Sequence, residues 1–293
     1  MNLLLNKLLV AVDFSKCSHK ALHYAAAWSL RYKSEICLLH VMNDVIPLND
    51  ILQQSQADEL NKTIEQNLRD FIKDIFDERT PVEILVEKGK VYQKITETAN
   101  SRNAGIIFIG SNGSSDKHSN YLGSNTMRTM RTCNLPVMVV SQNSKNEPVE
   151  NIVFPVDLSK DFFKKLLWAD TFKVLNKDIR IHLISVLKDH DEFNVNRMAL
   201  QLSNAKEELE KLGVKHTAEM IKCGISNDSI SEVVADYSEK LEADMIFILT
   251  QAESSYTPFY VSSLLQEIIA LAKVPVMAIN PVPVSNSRDK IKI

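Results

Sequence analysis

Gly110, Gly113, Gly123 and Ser124 form the grouping in this chain best suited to chemistry. They follow the apolar run Ile106-Ile107-Phe108-Ile109, with two residues between the first two glycines and nine between the second and third. The chain has only 7 glycines in 293 residues, so three at one strand-to-helix junction mark backbone that something must approach closely. Glycine can take φ > 0 and has no Cβ, so successive N–H groups can converge on a concavity beside a helix N-terminus, where an anion is favoured. Phosphate is the natural occupant. The spacing differs from the two common phosphate loops, since no Gly-Lys-Ser/Thr follows and no G-x-G-x-x-G is present.

Other reactive side chains carry less. Lys117 and His118 lie between Gly113 and Gly123, within reach of a terminal phosphate, but a solvated loop lysine beside an incidental histidine is the commoner arrangement. Arg128 and Arg131 are three apart on the helix after Ser124 and read as a wet face or a dimer contact. Cys17 follows the first strand near a helix start, where a thiol pKa can fall. His19 and His23 are four apart and make a metal pair only with a third ligand, which the sequence does not offer. No Ser-His-Asp order or nucleophile elbow is evident.

These residues must be positioned by short strands alternating with helices. Apolar runs predict strands near Leu8–Val12, Ile36–Met42, Val82–Glu87, Ile106–Gly110 and Val137–Ser141. A second set is expected near Ile152–Val156, Ile179–Leu187, His216–Lys222, Met245–Thr250 and Val276–Asn280. Steps of three and four predict helices through Leu60, Ile64, Leu68, Phe71 and Ile75, and through Met198, Leu202, Ala205, Leu209 and Leu212. Ser229-Ile230-Ser231-Glu232 fits a capping box. Continuous apolar strands alternating with amphipathic helices imply α/β units, each with a parallel sheet covered on both faces. Ligands of such sheets sit beyond the strand carboxyl ends. Asp13 ends the first strand and Val41 the second, so both face the crevice that holds the glycines, although Asp13 could instead compete with Ser15 as a helix N-cap.

The chain is a tandem duplication. The segment from Ile106 runs without gaps against the segment from Met245, an offset of 139 that carries Pro136-Val137-Met138 onto Pro275-Val276-Met277. Leu9 to Lys16 corresponds to Val153 to Lys160 at an offset of 144. The boundary falls in the polar stretch Gln142 to Pro148, giving domains at 1–144 and 149–283 and a C-terminal tail at 284–293. In the second copy Gly110, Gly113 and Gly123 become Leu249, Ala252 and Ser262, while Ser124 is kept as Ser263. Side chains there crowd the space of a phosphate, and Glu253 adds like-charge repulsion. Asp157 survives, but alone it is weak evidence, and the second copy is expected to be degenerate.

Bulk properties bound the remainder. A formal charge of −3 argues against a nucleic-acid surface on global grounds. The longest apolar runs are strand-sized, and Leu3-Leu4-Leu5 is interrupted by Asn6-Lys7, so neither a membrane span nor a signal peptide is expected. The four cysteines, Cys17, Cys37, Cys133 and Cys223, contain no C-x-x-C pair and read as reduced, packed thiols of a cytoplasmic protein.

The G-x2-G-x9-G-S spacing, the strand-ending Asp13, Leu38-Leu39-His40-Val41 and the Leu-Pro-Val or Val-Pro-Val before each last strand together resemble the universal stress protein family, over about residues 5 to 282 and in two copies. The resemblance implies two tandem doubly wound five-stranded parallel sheets of order 3-2-1-4-5. It further implies an adenine nucleotide, ATP or alternatively AMP or ADP, with or without Mg²⁺, held in the first domain. Asp13 and Val41 would take the ribose and adenine side, with Gly110, Gly113, Gly123, Ser124 and Asn125 around the phosphates. Asn125 stands where the family often has a small aliphatic residue, and Asn103-Ala104-Gly105 lacks an aspartate that Ala243-Asp244 keeps. The family also pairs through its last strand, which in a tandem chain implies an intramolecular pseudo-dimer through Val137–Val140 and Val276–Ile279, with a further homodimer left open. The expected function is a stress-response sensor or regulator with an unidentified protein partner. The competing classes are a slow ATPase or phosphotransferase at the same loop and a nucleotide-free interaction module. Against the enzyme, the motif fixes no carboxylate or histidine to activate water and no lysine after the glycines.

Overall fold

The computed structural model describes residues 5–43, 54–76, 80–113, 122–144, 149–156, 162–187, 192–222, 229–250 and 263–280. The chain divides between Gln142 and Asn143 into two compact units. In the first, β1 (Lys7–Ala11), α1 (Lys16–Tyr32), β2 (Glu35–Met42), α2 (Gln54–Ile72), β3 (Val82–Lys88), α3 (Val91–Ser101), β4 (Ile106–Gly110), α4 (Ser124–Thr132) and β5 (Val137–Val140) alternate along the chain. Its strands lie in the order β3-β2-β1-β4-β5, and every neighbouring pair is parallel. The second unit repeats the series as β6 (Asn151–Val156), α5 (Phe162–Leu175), β7 (Arg180–Leu187), α6 (Glu192–Lys211), β8 (Lys215–Lys222), α7 (Ile230–Lys240), β9 (Met245–Leu249), α8 (Ser263–Leu271) and β10 (Val276–Ile279). Its order is β8-β7-β6-β9-β10, again all parallel, which is the 3-2-1-4-5 order in each unit.

Each strand falls within one residue of its expected run, because these runs are bounded by polar or turn-forming residues and most are buried on both faces, with β3, and β8 from Lys215 to Ile221, half-buried or exposed. All of β4, β5, β9 and β10 is buried, as strands of a sheet covered on both faces require. The expected helical stripes lie on α2 and α6, but Ile75 and Leu212 fall just past the helix ends at Ile72 and Lys211. The capping box at α7 forms as expected, with Glu232 N donating to Ser229 Oγ (3.2 Å) and Ser229 N donating to Glu232 Oε2 (2.6 Å).

The cores are built on β1–β4 and on β6–β9. Phe108 of β4 is fully buried, with Trp28 of α1 edge-on at 5.6 Å. Its counterpart Phe247 stacks at 4.8 Å on Phe154, which replaces Val10, and Phe172 of α5 closes the cluster edge-on at 5.3 Å. The next residue is Pro155, which has no N–H to offer β9. The β6–β9 ladder accordingly ends at Val153, whereas β1–β4 runs one pair further to Val10 and Phe108. Asp244 compensates at the other end of this ladder: its Oδ2 accepts the N–H groups of Glu150 (2.9 Å) and Asn151 (2.7 Å). Gly105 holds that place in the first unit and offers only its own N–H, to the Lys7 carbonyl (2.9 Å). Among the described residues no helix is long and apolar enough to cross a membrane.

Candidate functional site

The first unit carries an open crevice at the carboxyl ends of β1, β2 and β4, enclosing about 680 Å³ with its mouth included. Asp13, Val41, Gly110, Gly113, Gly123, Ser124 and Asn125 all line it, so every expected site residue is brought together. Val12, Leu39, Val91, Ile95 and Ile109 supply an apolar wall. Asp13 is the one ionisable side chain among the lining residues.

The β1–α1 turn presents Asp13 through a chain of short local bonds. Ser15, not Asp13, is the α1 N-cap: its Oγ accepts from Ser18 N at 3.1 Å. Asp13 Oδ1 accepts from Ser15 N at 3.0 Å, an Asx turn that fixes the carboxylate. Ser15 Oγ also donates to the Asn112 carbonyl at 3.4 Å, tying this turn to the loop after β4. Phe14 adopts φ 61, a left-handed conformation that costs a bulky side chain about 1–2 kcal/mol. Its ring packs at 5.1 Å from His40 and 5.4 Å from Phe71.

The glycines act differently from the expectation drawn from φ > 0. The positive-φ glycines among the described residues are Gly89 and Gly213, neither of which lines the crevice. Gly110, Gly113 and Gly123 are needed for close approach. A Cβ on Gly110 would lie 2.8 Å from Cys17 Cβ and from Ser18 N, so its absence lets α1 lie hard against the end of β4. A Cβ on Gly113 would meet Asp13 Oδ2 at 2.8 Å, and one on Gly123 would meet the Ser111 carbonyl at 3.2 Å. Gly123 N donates to that carbonyl (2.8 Å), which seats α4 beside the strand end. As N-cap of α4, Gly123 provides no side-chain oxygen, so no side chain at the cap competes with an anion for the first-turn N–H groups at Ser124, Asn125 and Thr126.

Sequence reasoning missed Thr126, whose buried Oγ1 donates to the Gly110 carbonyl at 2.8 Å and locks α4 onto β4. A threonine in a first helical turn is too common to signal this. The secondary candidates are used elsewhere. Arg128 lies over the Tyr92 ring at 5.7 Å. His19 and His23 meet edge-on at 4.7 Å, and the described residues contain no group of three metal-ligating side chains. Cys17 is buried and its sulfur accepts from Ser111 Oγ at 3.7 Å. Cys37 and Cys133 are buried, and burial raises both thiols, Cys37 to about 11. Lys117, His118, Asp157, Cys223, Ala252, Glu253 and Ser262 lie outside the described residues.

At the matching end of the second unit, Leu249 is 5% exposed where the first unit has Gly110.

A parallel sheet of this order, repeated along one chain and bearing a crevice at the carboxyl ends of its central strands, defines a tandem doubly wound α/β protein. The chain belongs to the universal stress protein family, whose model matches residues 5–141 and 148–280. It is 25% identical over 161 residues to a universal stress protein of Methanocaldococcus jannaschii, a match covering 49% of this chain and 99% of that one. The same fold spans a solved universal stress protein from Archaeoglobus fulgidus with a TM-score of 0.71, at 21% identity over 95% of this chain and 98% of that chain. A functionally unknown protein from Pseudomonas aeruginosa PAO1 is similar at a TM-score of 0.61 and 15% identity, over 94% of this chain and 93% of that one.

Proposed function

We propose that the first unit binds one adenine nucleotide, ATP or alternatively AMP or ADP, and that the chain acts as a regulator in a stress response through the state of that site. The observation that carries the reading is the crevice itself. Its apolar wall suits a base, Asp13 suits ribose hydroxyls, and the glycine-capped start of α4 suits phosphate. Mg²⁺ would enter with the phosphates of a triphosphate. Binding without turnover is favoured because the described lining offers no lysine, arginine or histidine to neutralise a leaving phosphate. The second unit, with Leu249 in place of Gly110, serves as a structural or partner-binding half. Isothermal titration with ATP and Mg²⁺ should give one site per chain, lost in Asp13→Ala. Two equal sites would refute the division of labour, and ATP hydrolysis at an ordinary enzymatic rate, on the order of 1 s⁻¹ or faster, would refute the binding-only reading.

A further inference from the structure

We propose that His40 is a positioning residue for Asp13, a clamp that holds the peptide on both sides of it. Its geometry stands by itself; its effect on ligand affinity rests on the adenine-nucleotide reading. The regular ladder between β1 and β2 makes its last backbone contact where Val12 N donates to the Leu39 carbonyl (2.9 Å). The Val12 carbonyl then pairs with His40 Nδ1 at 2.8 Å. A carbonyl only accepts, so Nδ1 carries the hydrogen and the side chain supplies the donor as the chain turns away. The same imidazole packs on Phe14 at 5.1 Å, tilted by 49°, and Phe71 packs edge-on to Phe14 at 5.4 Å. Asp13 is the single residue between these two held points. Left-handed Phe14 (φ 61) persists because its ring is held, and the turn it makes brings Asp13 Oδ1 to Ser15 N and Oδ2 against Gly113.

The second unit provides an independent comparison. There Val156 aligns with Val12, and its partner across the ladder is Ser185. Ser185 is fully buried, and its hydroxyl has no hydrogen-bond partner. A serine is too short to reach a carbonyl as the imidazole does. The unit that has lost the glycine at its crevice has also lost the clamp, as expected if His40 serves the site and not the sheet.

Two variants of the full chain separate donor from ring. His40→Phe keeps an aromatic surface and removes the donor; His40→Asn places an amide N–H near the position of Nδ1 and removes the ring. Amide hydrogen exchange in the free protein and titration with ATP and Mg²⁺ are read together. In His40→Phe, exchange at Ser15 and Ser18 should quicken and affinity should fall, each by about tenfold, with the unfolding midpoint near that of wild type, and His40→Asn should recover most of both. Unchanged exchange at Ser15 in His40→Phe overturns the clamp. Equal losses in both variants, in step with lower unfolding midpoints, also overturn it by reducing His40 to a packing residue. If exchange quickens as expected while wild type itself takes up no nucleotide, the clamp stands and the nucleotide reading falls.

Discussion

Each unit builds a five-stranded parallel sheet of the same order, and the two differ at both ends of that sheet. At the carboxyl end the first has Gly110, His40 and an open crevice, and the second has Leu249 and Ser185. The seam between the last two helices has changed in step: Arg128 lies over Tyr92 in one unit, and Glu267 accepts from buried Ser231 (2.5 Å) in the other. At the amino end the first unit carries charges, with Lys7 bridging Glu35 (3.2 Å) and Glu83 (3.4 Å) and Arg102 reaching Glu83 (2.8 Å). The second sets a neutral network on the matching strands, in which His182 Nδ1 meets Thr217 Oγ1 at 2.8 Å and Nε2 meets Asn151 Oδ1 at 3.2 Å, beside the exposed ion pair of Lys215 with Asp178 (3.0 Å). Duplication has preserved strand order and register, which the buried runs enforce, while residues at the strand ends and some inside the core, such as Val10 and Phe154, have diverged.

The sharpest way to break this comparison is to convert one carboxyl end into the other. In Gly110→Leu the new Cβ meets the backbone of Cys17 and Ser18, which cannot rotate away, so α1 must shift. The first unit should lose at least about 3 kcal/mol, and with it the nucleotide binding proposed for its crevice. Urea unfolding followed by Trp28 fluorescence, with Trp168 replaced by Phe, measures this. A loss below about 1 kcal/mol would mean that helix and strand adjust easily and that the glycine is not what separates the units.

The amino ends should separate the units by pH, with opposite signs. Burial first, and the Arg180 charge second, pull His182 from 6.5 to about 4. Between those values the unfolded chain takes up a proton that the folded unit refuses, so the second unit loses stability as pH falls from 6.5 to 4, by about 3 kcal/mol in total. Cys37 occupies the corresponding place on β2, and burial first, then Glu83, raise its thiol from 9.0 to about 11. There the unfolded chain releases its proton first, so the first unit loses a little less than that amount as pH rises from 9 to 11. Unfolding midpoints for each unit, with His182→Gln and Cys37→Ala as references, should show the acid loss abolished by the first substitution and the alkaline loss by the second. Identical pH profiles for wild type and variants would remove these two residues as the cause.

Much of this was legible beforehand, for identifiable reasons. Strand limits follow from apolar runs closed by polar residues, and Ser229 and Glu232 announce their own box because capping is local in sequence. Gathering Asp13, Val41 and the glycines into one crevice follows from parallel topology, which sends all strand carboxyl ends to one side. What could not be read depends on distances across the fold. That Gly110 makes room for Cys17, that Thr126 bonds the Gly110 carbonyl, and that His40 reaches the Val12 carbonyl are consequences of packing between elements 16 to 93 residues apart. The glycines themselves were found for one physical reason and retained for another: absence of a Cβ, not freedom of φ.

The smallest expected effect tests what the units have kept. Both end their penultimate helix alike, with Asn103 (φ 54) after α3 and Glu242 (φ 52) after α7 in the left-handed region. In each the following N–H bonds back over the helix end, Ala104 to the Ala99 carbonyl and Ala243 to the Ser238 carbonyl, both at 2.9 Å, the long bond of a Schellman motif. The turn is therefore conserved between copies although the residue is not, and the two residues differ in what the conformation costs. Asparagine tolerates it; glutamate, with a longer side chain and no local bond to gain, does so less well. Both positions are exposed, so substitution tests backbone preference with little change in packing. Glu242→Gly should stabilise the second unit by about 0.5–1 kcal/mol, partly offset by the added freedom of glycine in the unfolded chain, and Asn103→Gly should change the first by only a few tenths. Thermal unfolding followed separately by Trp168 and Trp28 resolves the two. Destabilisation by Glu242→Gly would show that the glutamate side chain holds this turn, and the likeness of the two helix ends would then be one of shape reached through different interactions.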